Sequence, residues 1–214
     1  MTPELETFGD FGLSWLDASG PHADVVLSTR VRLARNLQGH AFPARVTPEE
    51  RRRIYERVRD AALRSPSMQG ARHLEMVGVT PITRQLLLER HVVSRELAGE
   101  GGAAATEGSG VILSVSDGVG LMVNEEDHLR LQGLCSGLEL HRAYQRVERL
   151  DEELGAELPF AYHPEFGYLT SCPTNVGTGL RASILVHLPG LVLTKEIGRV
   201  LQGINQVGLT FRGL

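Results

Sequence analysis

Between Cys172 and Ser183 the chain sets a thiol, two glycines and a guanidinium in one turn-forming stretch, Cys172-Pro173-Thr174-Asn175-Val176-Gly177-Thr178-Gly179-Leu180-Arg181-Ala182-Ser183. Pro173 fixes φ and removes a donor, while Thr174 and Asn175 can hydrogen-bond their own backbone. Gly177 and Gly179 admit conformations closed to other residues. Such a loop can aim amides and a cation at one anion, with a thiol alongside. The spacing Gly177-x-Gly179-x-x-Ala182 matches a dinucleotide fingerprint, but a Pro/Thr/Asn turn precedes it where a strand is required, which discounts the match. Read alone, the stretch is equally a glycine-rich hairpin with an incidental Cys and Arg.

Two further groups share its chemistry. In Asp24 to Asn36, Arg30 and Arg32 alternate with Val31 and Leu33, so a strand puts both guanidinium groups on one face. Like charges side by side repel unless an anion lies above them. The plain alternative is a pair of solvated surface arginines. Glu125-Glu126-Asp127 ends another β-prone run, with Arg130 close behind. Three adjacent acids call for nearby cations, and Arg30, Arg32 and Arg181 are candidates from other strands. The alternative is a solvated acidic turn. Strand-borne arginines suit a polyphosphate, because each presents planar, always-charged, multidentate donors.

These groups need elements to hold them. Ala182 to Leu188 reads as a strand supporting Arg181. Thr47-Pro48-Glu49-Glu50 is a helix start, followed by an apolar stripe at Ile54, Val58 and Ala61 and a solvated arginine face. A second helix is expected from Ile82 to about Ser94, carrying His91. Ala98 to Gly110 reads as a loop, not a domain linker. Val111 to Val115 and Leu121 to Asn124 read as strands joined by Asp117-Gly118. Leu140, Ala143, Val147, Leu150 and Leu154 mark an amphipathic helix ending at Gly155. Thr194 is expected to cap a helix with Ile197, Val200, Leu201 and Ile204 inward, and Val207, Leu209 and Phe211 to alternate as a final strand. The order predicts an α+β fold: an antiparallel sheet flanked by helices, in one domain.

Composition narrows the chemistry. Apolar content of 42%, charged content of 22% and a net charge of -4 describe a globular chain without a general nucleic-acid surface. Of the 22 basic residues, one is lysine, Lys195, and Glu196 follows it. That excludes a G-x-x-x-x-G-K-[ST] phosphate loop. The two cysteines form no disulfide framework, neither sits in metal-ligand spacing, and the eight histidines contain no H-E-x-x-H. No apolar run approaches membrane-spanning length and the acidic N-terminus is unlike a signal peptide, so the expected location is cytoplasmic, with no membrane partner.

Ser28-Thr29-Arg30-Val31-Arg32, Asn124-Glu125-Glu126-Asp127-His128-Leu129-Arg130 and the Cys172–Ser183 stretch, in this order, resemble the ATP:guanidino phosphotransferases, or phosphagen kinases. The resemblance runs from about Asp24 to Leu214. It implies the guanidino-kinase, glutamine-synthetase-like catalytic fold for 24–214, after an N-terminal extension over 1–23. It implies ATP, with Mg²⁺ held through the nucleotide phosphates and no metal held by the protein itself. Ser28, Thr29, Arg30, Val31, Arg32, Arg130, Arg181, Ala182, Ser183 and Arg212 match nucleotide-binding positions, and His91 matches an adenine-side histidine. Glu126 matches the carboxylate that holds the acceptor guanidinium, and Cys172 the active-site thiol.

The sequence departs from the family at both ends. Small-guanidine kinases carry a helical domain before the Ser-Thr-Arg motif, whereas 27 residues precede Ser28 here. An uncovered acceptor side suits arginine displayed on a protein, so the implied activity is phosphorylation of protein arginine side chains. The implied partners are proteins with exposed arginine, together with activators or adaptors, and no nucleic acid directly. The family's loop after the match to Arg212-Gly213, with its second acid, is not seen, so the catalytic domain is expected to be incomplete at its C-terminus and weak in transfer. A competing reading is a catalytically impaired module that binds nucleotide or phosphoarginine as an adaptor. A kinase for free arginine is disfavoured by the missing leading domain.

Overall fold

Alternation in Val26–Arg35 produces the strand on which the fold is centred. In the computed structural model, which describes residues 15–99, 106–115 and 118–212, this strand (β1) buries Val31 and Leu33 on one face and turns Arg30 and Arg32 to the other. Seven more strands follow: β2 (Arg72–Glu75), β3 (Gly110–Leu113), β4 (Val119–Val123), β5 (Leu129–Ser136), a small hairpin of β6 (Tyr162–His163) and β7 (Gly167–Tyr168), and β8 (Leu180–Val186). Six form one sheet in the order β2-β3-β4-β5-β1-β8, antiparallel throughout. The expected α+β class is the one observed.

Helices cover the sheet unequally. On one face, α1 (Pro48–Arg64) and α4 (Leu140–Gly155) enclose a core of Ile54, Val58, Val147, Leu150 and Leu154 against Leu33, Leu121 and Leu131. Thr47 caps α1 as its sequence predicts, its side chain accepting from the Glu50 amide at 3.2 Å. Leu140 departs from the expected stripe of α4 and is exposed. On the opposite face a second core joins Met122, Val111 and Leu113 to Leu87, Val92, Val93 and Leu97, from and around α2 (Pro81–Glu89) and α3 (Arg95–Ala98). Met122 lies on β4 opposite Arg130 of β5, so this second core covers the face that the arginines share, over the β3–β4 side.

Four expectations are corrected. The second helix ends at Glu89, so His91 lies beyond it at φ +59°, and Ser94 caps α3 instead. Leu129–Ser136 is a full strand that was not read as one. Thr194 closes α5 (Pro189–Leu193), its hydroxyl donating to the Gly190 carbonyl, rather than starting α6 (Ile197–Gln206). Val207, Leu209 and Phe211 form no strand and are exposed, and no residue of α6 is buried among the described residues. The apolar stripe of α6 is present, but the described chain provides nothing to cover it. Asp117 and residues 100–105 of the 98–110 loop lie outside the described residues.

Candidate active site

The open face belongs to β5, β1 and β8. Arg32 stands directly across from Arg181 of β8, Arg30 across from Ser183, and Arg130 of β5 lies diagonal to Arg32, whose own partner there is Gln132. Directly opposed residues share a face, so four guanidinium groups gather on it. Burial depresses the Arg30 pKa, with Arg181 and Arg130 adding repulsion. Burial, then Arg30, Arg130 and Arg181, push Arg32 down to about 9. The Arg32 Nε is buried with no hydrogen-bond partner. Cations held this way can accept a polyanion.

Thr29 and Val31 of the same motif face the other way. Thr29 Oγ1 donates to the Gly137 carbonyl at 2.7 Å and accepts from the Glu139 amide at 3.1 Å, steadying the turn into α4. Val31 packs with Cys135 and Ala143. Ser28 is buried, whereas Ala182 is exposed on β8 and Ser183 partly so. Arg212 lies exposed in an irregular stretch after α6, not at the end of a strand. The sheet brings together Arg30, Arg32, Arg130 and Arg181.

The acids sit at the rim, where β4 ends. Arg130 bonds both of its neighbours: Nη1 reaches Glu125 at 2.7 Å and Nη2 reaches Glu126 at 2.8 Å. Glu125 is 2% exposed and also accepts from Ser94 Oγ at 2.6 Å, so its role is to fix Arg130. Glu126 keeps 42% of its side chain exposed. Loss of hydration raises its pKa, and Asp127, Glu125 and Glu96 add to this against the opposing pull of Arg130. A carboxylate so placed is suited to accept a proton.

Cys172 is half-buried, its sulfur 3.0 Å from Thr174 Oγ1. The loop is held from behind by residues that the sequence reading passed over. Asp127, fully buried, accepts at one oxygen from Asn36 Nδ2 (2.6 Å) and from the Ser171 amide (2.7 Å). It thereby joins the residue after Glu126 to the residue before Cys172. Asn36 also accepts from the His128 amide, and His128 Nδ1 accepts from the Leu37 amide while Nε2 donates to the Ala41 carbonyl. Burial takes the His128 pKa down to about 4.

Arg35 is the second anchor. It is 3% exposed, pairs with Asp151 of α4 at 2.7 Å, stacks 3.5 Å from the Tyr168 ring centre and donates to the Thr178 carbonyl at 2.9 Å. Its position in register with Val31 and Leu33, an arginine on the core face, was a signal available in the sequence. Gly179 passes so close, at φ +65°, that a Cβ would stand 2.6 Å from the Ala34 carbonyl oxygen and from Arg35 Nη1. Glycine is therefore required there.

His91 borders the open face. Its carbonyl accepts from Gln132 Nε2 at 2.9 Å, and its pKa is lowered by burial and by Arg30. Trp15 stacks on it with ring centres 5.0 Å apart and planes 14° from parallel. The extension is thus packed on the domain from residue 15 onward, with the Leu138 amide bonded to the Pro21 carbonyl at 2.7 Å. Among the described residues no cluster of His, Cys, Asp or Glu is poised to hold a metal, and no helix is long and apolar enough to cross a membrane.

An antiparallel sheet flanked by helices is the fold this chain shares with solved guanidino kinases. Residues 53–214 match the family model "ATP:guanido phosphotransferase, C-terminal catalytic domain", and the chain belongs to that family. Among its relatives is a protein-arginine kinase of Moorella thermoacetica, 45% identical over 94% of this chain and 57% of the relative. Another, from Symbiobacterium thermophilum, is 43% identical over 94% of this chain and 56% of the relative. The chain therefore spans little more than half the length of these curated relatives. A taurocyamine kinase of Schistosoma mansoni, solved with transition-state-analogue components, superposes with a TM-score of 0.73 at 27% identity, over 83% of this chain and 26% of that one. A lombricine kinase shares the fold, with a TM-score of 0.65 at 24% identity over 83% of this chain and 53% of that one.

Proposed function

We propose that residues 24–214 form the catalytic part of an ATP-dependent protein-arginine kinase, acting on arginine side chains of other proteins. The observation that carries this reading is the cationic face: Arg30, Arg32, Arg130 and Arg181 crowd together, and Arg32 is driven down to about 9. A nucleotide polyphosphate would supply the missing negative charge, and Mg²⁺ arriving with its phosphates would help neutralise charge on the transferring group. Ser28, Ser183 and the β1 and β8 backbones, including those of Thr29, Val31 and Ala182, flank the phosphates in this reading, and Arg212 closes from the C-terminal side.

The acceptor guanidinium is protonated at neutral pH, since its pKa exceeds about 12, and is a poor nucleophile until a base takes its proton. Glu126 accepts that proton while the guanidinium nitrogen forms a bond to the γ-phosphorus and the bond to the ADP oxygen breaks in line. The raised pKa of Glu126 suits it to this role. Cys172 adds a contact on the acceptor side, and the arginines stabilise charge on the transferring group. Relatives named protein-arginine kinases weigh against an adaptor that merely binds nucleotide.

The test incubates the protein with Mg-ATP and an unfolded substrate protein and looks for acid-labile phosphate on arginine. Transfer that disappears in Glu126→Gln, with calorimetric Mg-ADP binding retained, is the expected result. Absence of nucleotide binding at millimolar concentration removes the proposal.

A further inference from the structure

The one tryptophan of the chain lies outside every motif that pointed to the anion site, yet it is 6% exposed and stacked on a residue at the rim of that site. Four contacts fix the local geometry. The Trp15 indole N–H donates to the Arg90 carbonyl at 3.0 Å. The rings of Trp15 and His91 lie nearly parallel, 14° apart. Gln132 donates to the carbonyls of His91 and Val92 at 2.9 and 3.3 Å. His91 needs such support because it is a non-glycine residue at φ +59°, a conformation that persists only where surroundings impose it.

Gln132 ties this feature to the cations. It stands across from Arg32 on the arginine face, is 2% exposed, and its Oε1 is buried with no hydrogen-bond partner. A polyanion lying over Arg30 and Arg32 therefore has at its end a held imidazole and a buried acceptor without a donor. Trp15 is buried and His91 only half-buried, so the accessible surface of the ring pair belongs to His91. Burial and the Arg30 charge also disfavour protonation of that imidazole, which presents a flat ring.

We propose that Trp15 is a positioning residue for base recognition: it backs His91 so that the imidazole offers a flat platform to the purine of a nucleotide whose phosphates lie on Arg30 and Arg32. The inference rests on the nucleotide reading and extends it. It makes the segment before β1 part of the site, and it divides recognition in two, with arginines reading phosphate and the stacked pair reading the base. Aromatic pairs and base stacking are each strong enough to give about a tenfold effect when one ring is lost.

Titrations of the whole chain with Mg-ADP and with Mg-tripolyphosphate separate the two parts. Mg-ADP is expected to change Trp15 emission and Mg-tripolyphosphate to leave it unchanged, while calorimetry registers both. Trp15→Ala should weaken Mg-ADP about tenfold with tripolyphosphate affinity held within about twofold, and Trp15→Phe should restore most of the loss. Equal loss of both ligands in Trp15→Ala, or none, overturns the proposal. So does an emission response that is the same for both ligands in the unaltered protein, a measurement that needs no variant. Binding of tripolyphosphate without preference for ADP leaves the anion site standing and removes the base platform. Binding of neither removes the nucleotide reading itself and this inference with it.

Discussion

Removing a charge from the open face should make the empty protein more stable. Arg32 is the sharpest case: its guanidinium is pulled well below the ordinary arginine range, to about 9, by burial and by three like-charged neighbours. A displacement of that size corresponds to about 5 kcal/mol against the charged form. Water reaches the face from its open side, so we take roughly 2 kcal/mol as what survives screening. Because the folded pKa lies below the unfolded one, this penalty is complete at every pH under about 9 and is relieved only as pH climbs from there toward the ordinary arginine range. A measurement at pH 7 therefore sees all of it. Arg32→Met keeps the apolar stem and removes the charge. For a chain of this size about 2–4 °C accompanies each kcal/mol, so its Tm should rise about 4–8 °C in low salt. Mg-ADP should reverse the order. The unaltered protein gains about 2.7 kcal/mol at a ligand concentration of 100 Kd, while the variant gains little. Added sodium chloride should raise the Tm of the unaltered protein and narrow the gap. A variant that melts lower than the parent without ligand in low salt would refute the reasoning, since the arginines would then be mutually compensated.

The buried supports should behave in the opposite way. Asp127→Ala leaves the Ser171 amide without its acceptor in a dry site, and should cost about 2–4 kcal/mol in urea unfolding; a loss under about 0.5 kcal/mol would show that this carboxylate holds nothing. His128 gives a pH signature. Its folded pKa of about 4 lies below the ordinary 6.5, so its contribution is present above pH 6.5 and is lost as pH falls toward 4, by up to about 3 kcal/mol. Urea unfolding at pH 7 and 4.5 should show that loss, and His128→Gln should remove most of the difference between the two pH values.

What was legible in the sequence is what depends on local periodicity. The period of two in β1 separated Arg30 and Arg32 from Val31 and Leu33, and the helical period placed α1 and α4. Leu129–Ser136 escaped because every residue in it but Arg130 is buried, so it lacks a clean polar alternation. His91 was placed on a helix because no local signal announces a left-handed residue held by a glutamine forty-one positions away. The misreading of α6 is of another kind. Its stripe of Ile197, Val200, Leu201 and Ile204 is a real amphipathic pattern, but periodicity reports that a helix has an apolar face, not that the same chain supplies a cover. Asn36 and Asp127 were invisible for a related reason. A polar residue that ends up buried looks, in sequence, like one that is solvated.

These hidden residues explain how the arginine face can exist. Four cations on adjacent strands push β1, β5 and β8 apart, and β8 is the weakest member, an edge strand whose residues are exposed or only partly buried. Two anchors oppose that push from behind. Arg35 joins β1 to α4 through Asp151 and to the strand-entry loop through Thr178, and the close pass of Gly179 over Ala34 and Arg35 locks β8 against β1. Asp127 and Asn36 do the same for the Cys172 loop, which they tie to the end of β4. Charge repulsion is thus confined to side chains, which can move toward a ligand, while the backbones that carry them stay in register. A surface assembled for stability alone would have alternated signs across β1 and β8. In the nucleotide reading proposed above, the placement of Arg32 opposite Arg181 leaves the counter-charge to come from outside, as a binding device requires.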